Sequence, residues 1–305
     1  MQTSNGVKFL KYSKLYFILS GILILASIVS ICVFGLKFGI EFTGGSIIEL
    51  SFQDERPSLE NIQQNLSQFN LGEIIVQPMA DNEMILKMKE IDEATHEKII
   101  LKLQEVSSFE EKSFEVIGPT IGTELKQKTK NAVILVLLAI TLYITFAFRK
   151  VSWSAIRSWQ YGIASLIALF HDVIIPLGVL AVLGELYNVE ITIPVIAALL
   201  TILGYSVHDT IVIFDRIREN LLKTKFKSFE ETVDASLNQT LFRSISTVFT
   251  VLLVLFAIFF FGGRTLQSFS LILIIGISSG AYSSIFVASP ILVAWAKWKQ
   301  NKGKV

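Results

Sequence analysis

The run GYSVHDTIVIFDRIREN, residues 204–220, begins as membrane-grade apolar sequence and ends in a dense set of charges. His208 and Asp209 sit inside the apolar part, and Asp215 opens the charged part six residues later. A carboxylate inside a membrane span costs a few kcal/mol unless it is paired or wetted, so an acid there reads as functional by default. The charges from Asp215 to Glu219 already supply a water interface. Asp209 therefore lacks the ordinary explanation for an acid near a helix end.

Composition agrees with a membrane as the solvent. The 305 residues are 52% hydrophobic, include 23 Phe and carry only 17% charged side chains, which is too apolar for an ordinary soluble domain. Spanning helices need about 20 apolar residues. Six stretches qualify, near Leu15–Leu36, Asn131–Phe148, Trp159–Leu183, Ile193–Phe214, Ser236–Phe261 and Leu266–Trp295. The last is too long to lie wholly in the membrane, and its small-residue run GISSGAYSSIFVASP reads as a closely packed internal helix. The single cysteine, Cys32, excludes an intramolecular disulfide and a cysteine zinc cluster.

Charge is segregated along the chain. Lys8, Lys11 and Lys14 precede the first span, which reads as an uncleaved signal anchor because its apolar run is long and no A-x-A-like site follows it. Arg149, Lys150 and Arg157 lie between spans two and three; Arg216, Arg218, Lys223, Lys225 and Lys227 follow span four; Lys297, Lys299, Lys302 and Lys304 close the chain. The alternate loops hold Glu185 and Glu190, or only Arg264. By the positive-inside rule both termini are expected in the cytoplasm. The expected organisation is a cytoplasmic N-terminus (1–14), a first span (15–36), an extracytoplasmic insert (37–130), a five-span bundle (131–296) and a basic cytoplasmic tail (297–305).

The insert carries ten Lys and Arg against seventeen Asp and Glu. It reads as strand (46–52), helix (58–69), strand (73–77), strand (84–88), helix (92–106) and strand (113–116), with Ser58 as a helix cap and ADNE at 80–83 as a turn. That β-α-β-β-α-β order is ferredoxin-like. No catalytic set stands out in it, and His96 reads as a solvated residue on a charged helix face. The glycines of EFTGGS and GPTIGTEL match no phosphate loop, so no nucleotide site is expected, and no cofactor, metal or nucleic-acid partner. Gly44 and Gly45 read as a tight turn where the first span hands over to the insert.

Helical rise then groups residues by depth. Asp209 lies 15 residues beyond Pro194, and Thr247 lies 15 before Gly262. Both sit about 23 Å into a core of about 30 Å, and Arg243 about 29 Å by the same rise. Adjacent antiparallel packing of spans four and five would make Asp209 and Thr247 level, with Arg243 about one turn closer to the cytoplasm. The competing reading places Asp209 near the interface, Arg243 snorkelling there and Thr247 as a packing hydroxyl. His171 and Asp172 repeat the His-Asp pair in LFHDVIIP of span three, as a second ion-path site or a polar link between helices. Asp215, Arg216, Arg218 and Glu219 read mainly as a cytoplasmic cap.

Taken in order, GIEFTGGS, VIGPTIGTEL, ALFHDV, GYSVHDTIVIFDRIREN, NQTLFRSISTVFT and GAYSSIFVASP span nearly the whole chain. They resemble the SecF branch of the SecD/SecF family of bacterial protein translocase subunits, within the RND superfamily. Glu41 stands where that family usually has Asp, and His208 often corresponds to Asn. The resemblance implies a six-span RND-type half with a small ferredoxin-like α+β extracytoplasmic domain, in the bacterial plasma membrane. It implies a SecD-like partner, association with the SecYEG channel and SecA, and preprotein as substrate. The implied activity is not enzymatic: the proton-motive force assists preprotein translocation. Asp209, Arg243 and Thr247 match the family's proton-path positions. An independent RND-type exporter of small molecules or lipids is the alternative, and calls for a second six-span half and large porter domains. An intramembrane aspartyl protease built on Asp172 and Asp209 lacks the G-x-G-D type motif.

Overall fold

The computed structural model describes residues 7–302 apart from 54, 73, 80–81, 150–155, 224–225 and 227. Glu73 at the expected start of the second strand, Ala80 and Asp81 of the expected turn, and Lys150, Lys225, Lys227 and Lys304 of the basic segments lie outside the described residues.

A 3-10 turn, Phe9–Tyr12, leads into α1 (Ser13–Phe34). A single turn, α2 (Ile40–Thr43), precedes β1 (Gly45–Phe52) and α3 (Leu59–Leu66), then β2 (Ile75–Pro78) and β3 (Glu83–Met88). After α4 (Glu93–Gln104) and β4 (Phe109–Ile117) come the long helices α5 (Pro119–Ala147), α6 (Ser158–Tyr187), α7 (Ile193–Lys223) and α8 (Phe229–Phe261). The last, α9 (Arg264–Ser283), passes through a π-helical turn (Ser284–Ala288) into α10 (Ser289–Lys302). Six helical stretches are long and apolar enough to cross a membrane, with α9 and α10 making one of them. The chain divides into two compact units, Met1–Lys37 with Asn131–Val305, and Phe38–Lys130.

The smaller unit has the ferredoxin-like order. Its four strands run β2-β3-β1-β4, every neighbouring pair antiparallel. Strand alternation sends Ile48, Leu50, Met84 and Leu86 into one core with Ile62 and Leu66 of α3 and Ile99 and Leu103 of α4. Ser58 caps α3 by accepting from the Asn61 amide at 3.3 Å. His96 departs from its expected solvated place. It is buried, its ring stacks on Phe114 at 3.8 Å, and Nε2 lies 2.9 Å from Glu111 Oε1. The reason is helical period: His96 stands three and seven residues before Ile99 and Leu103, on the stripe of α4 that meets the sheet.

The two glycine motifs meet in this unit. Gly44 has φ of 77°, and a Cβ there would lie 2.8 Å from Pro119 Cα. Gly45 has φ of 142° with Met88 O 2.7 Å from the same imagined atom. Backbone conformation and close approach both demand glycine at this double position.

In the larger unit the helices differ in burial. About half of each span is buried in α6 (44%), α7 (50%) and the α9–α10 stretch (56%), against 11%, 6% and 17% for α1, α5 and α8. Close packing relies on small residues. Gly276 and Gly280 of α9 meet Ile202 and Ser206 of α7, where a Cβ would lie 2.1 Å and 2.9 Å from the nearest side-chain atoms. One turn further, Thr210 and Ser284 hydroxyls are 2.8 Å apart. Gly178 of α6 lets Ser27 of α1 approach to 2.4 Å of the place a Cβ would fill. The segment just before α1 is tied to α8: the Leu10 amide donates to Asp234 Oδ1 at 3.1 Å, and the Val7 amide to Asn238 Oδ1 at 2.9 Å.

Candidate functional site

Among the described residues, two buried carboxylates stand in the larger unit, and their surroundings differ. Asp209, on α7, is 4% exposed. Its Oδ1 accepts a hydrogen bond from Ser244 Oγ of α8 at 2.8 Å. Its Oδ2 is buried with no hydrogen-bond partner among the described residues. A half-satisfied acid in an apolar bundle is costly to keep.

The α7–α8 pairing expected from depth is present, but the contact is made by a residue that depth alone did not select. Ser244 touches Asp209. Thr247, exposed on α8, donates within its own helix to the carbonyls of Arg243 and Ser244, each at 3.0 Å. Arg243 is exposed, makes no ion pair among the described residues, and lines a cavity of about 330 Å³ with Asp215, Arg216, Glu219 and Gln239. His208 is exposed as well. Within the cap, Arg218 pairs with Asp215 at 3.3 Å and Lys223 with Glu219 at 3.0 Å, while Arg216 is held by Glu219 and Gln239.

Asp172, on α6, is fully buried and its oxygens are filled. Oδ2 accepts from Ser206 Oγ of α7 at 2.5 Å and from Ser283 Oγ of α9 at 2.7 Å. Oδ1 accepts from Ser279 Oγ at 3.2 Å and lies 2.9 Å from His171 Nδ1. His171 is itself buried, lies against the Tyr282 ring at 5.9 Å, and leaves Nε2 without a partner among the described residues. Pro176, four residues on, removes the amide that would bond the Asp172 carbonyl, and the π-helical turn begins next to Ser283. Of this cradle, Ser206 was not singled out in the sequence, and Ser279 and Ser283 were legible only as small packing residues. Their other signal is spacing: Ser279 and Ser283 are four apart and so share a helix face. Asp172 and Asp209 are enclosed by different donor sets, not by each other. Among the described residues no group of three or more His, Cys, Asp or Glu gathers as a metal site.

Six apolar helices around buried carboxylates, with a ferredoxin-like unit after the first helix, define a polytopic α-helical membrane protein with an RND-type half. The chain belongs to the SecD/SecF protein export family. The family model "Protein export membrane protein SecD/SecF, C-terminal" matches residues 97–298, and "SecD/SecF GG Motif" matches 29–55. The chain is 40% identical over 305 residues to the protein translocase subunit SecF of Thermobaculum terrenum, covering 95% of this chain and 94% of that one. It is 37% identical to the SecF of Rickettsia prowazekii, covering 96% and 92%. Among solved structures it is similar to SecDF, a translocon-associated membrane protein from Thermus thermophilus, with a TM-score of 0.84 and 31% identity. That match covers 97% of this chain and 40% of the SecDF chain.

Proposed function

We propose that this chain is the SecF-type half of a SecD–SecF complex in the bacterial plasma membrane, both termini cytoplasmic, and that it uses the proton-motive force to assist preprotein movement through the SecYEG channel after SecA-driven insertion. The observation that carries the coupling role is the open, buried Oδ2 of Asp209. Asp209 is the exchanging group. Arg243, one turn nearer the cytoplasmic cap, is the cation that returns it to the ionised form when α7 and α8 shift, and Thr247 lines the approach. Asp172 belongs to the fixed frame rather than the path, because its oxygens already receive Ser206, Ser279, Ser283 and His171. His208 is exposed beside Asp209 and takes no part in the Ser244 bond, and it is not required for exchange.

The test is preprotein translocation into vesicles holding the assembled complex, with and without an imposed proton gradient. Asp209→Asn keeps the shape and the Ser244 bond but removes titration. Assembly survives and the gradient-stimulated increment is lost. Retention of that increment would make Asp209 a packing residue and end this reading.

A further inference from the structure

Three cavities follow one another along α6. At its start, a cavity of about 480 Å³ is lined by Arg157, Trp159, Gln160, Trp295, Trp298 and Lys299. The next, about 400 Å³, shares Trp295 and Trp298 and is closed by Ile167, Ile291 and Ala294. On the far side of Ile167 a third, about 430 Å³, is walled only by apolar side chains of α5, α6 and α7, among them Leu137, Phe170 and Leu203.

The lining changes in one direction. The first cavity holds two cations and no carboxylate, whereas the cavity at the end of α7 mixes Asp215 and Glu219 with Arg216 and Arg243. Arg157 makes no ion pair among the described residues. Trp159 and Trp295 meet edge to face at 5.1 Å, and these rings are amphipathic and suit the level between headgroup and hydrocarbon. Arg157 to Ile167 is ten residues of helix, so the apolar cavities begin about 15 Å deeper, the depth of one leaflet. Scattered tryptophans and basic residues anchor the ends of many spans. Here three rings and two cations enclose one volume that leads into apolar grooves, and basic pockets between spans are the places where anionic headgroups bind.

We propose that the groove between α6 and α10 binds an anionic phospholipid of the adjacent leaflet, its phosphate at Arg157 and Lys299 and an acyl chain passing Trp295 and Trp298 toward Ile167.

Tryptophan fluorescence in vesicles of brominated phospholipid reads this site directly. The chain has four tryptophans, and Trp153→Phe leaves the three that line the cavity. In mixtures of brominated phosphatidylglycerol and unbrominated phosphatidylcholine, and the reverse, the full chain should favour phosphatidylglycerol by about fivefold per basic residue. Arg157→Gln combined with Lys299→Gln should bring the ratio to near one while brominated phosphatidylcholine still quenches, which shows that the groove is intact. Arg157→Lys should keep the preference. Lys297→Gln, whose ammonium pairs with Glu230 at 2.6 Å away from the cavity, should also keep it. Equal quenching by the two lipids in the parent chain overturns the proposal, as does a preference that survives the double substitution. Absence of quenching by either lipid also overturns it, and would show that a protein segment covers the groove.

Discussion

Asp172 and Asp209 are the same residue type, each following a histidine, and their neighbours give them different roles. Asp172 is a joint: one carboxylate holds α6 to Ser206 of α7 and to Ser279 and Ser283 of α9. Asp172→Ala strands those donors in the bundle, and each buried unsatisfied group costs about 1–3 kcal/mol unless it rebonds locally. Ser283 already has a second acceptor in the Gly280 carbonyl at 3.2 Å, so the expected total is on the order of 2–3 kcal/mol. Thermal unfolding of the purified chain in detergent checks this: Asp172→Ala should lower the midpoint, and Asp209→Asn should leave it near the parent value. Equal midpoints for Asp172→Ala and the parent would remove the structural role. That Asp209 stands where α7 meets α8 was legible in the sequence because helical rise is uniform. Its donor was not, because which side chain of α8 faces it depends on how that helix is rotated about its own axis.

Elements carry their own termini and periods, and most of them could be read in advance. Strand alternation and the cap Ser58 placed the smaller unit's elements to within a few residues, and the structure adds Asp92 as the cap of α4. Asp92 accepts from the Thr95 amide at 3.0 Å, and the Thr95 side chain first, with this amide bond second, holds its carboxyl below the usual carboxylate range. A lowered folded value favours the folded helix end above the ordinary carboxylate pKa, and the advantage is lost as pH falls through the depressed value. Hydrogen exchange across α4 should therefore show first-turn amides protected at neutral pH and released in acid. Asp92→Ala should expose them at both pH values. Unchanged first-turn protection in the variant would show that the cap contributes nothing. His96 shows where element reading failed: the charged neighbours Glu93, Glu97 and Lys98 concealed the short buried stripe that it shares with Ile99 and Leu103.

At the scale of the molecule, α1, α5 and α8 keep most of their apolar surface outward while α6, α7 and the last span pack inside. Lipid satisfies such surface, and so does a second set of spans. We expect the chain expressed alone to be short-lived or inactive in export, and a co-expressed SecD-like subunit to restore both abundance and gradient-stimulated translocation. Full stimulated export by the lone chain in vesicles would count against partnership. By itself, the sequence determined the six apolar helices, the ferredoxin-like order of the insert, the double glycine and the pairing of α7 with α8 at Asp209. Each of these follows from local quantities: runs of apolar residues, periods of two and 3.6, and a fixed rise per residue. Only the tertiary structure decided that Ser244 rather than Arg243 touches Asp209, that three serines close around Asp172, and that Arg157 and Lys299 share one cavity. Those contacts join residues far apart in the chain, and they are fixed by helix rotation and by glycine-scale approach between helices, which no single stretch of sequence encodes.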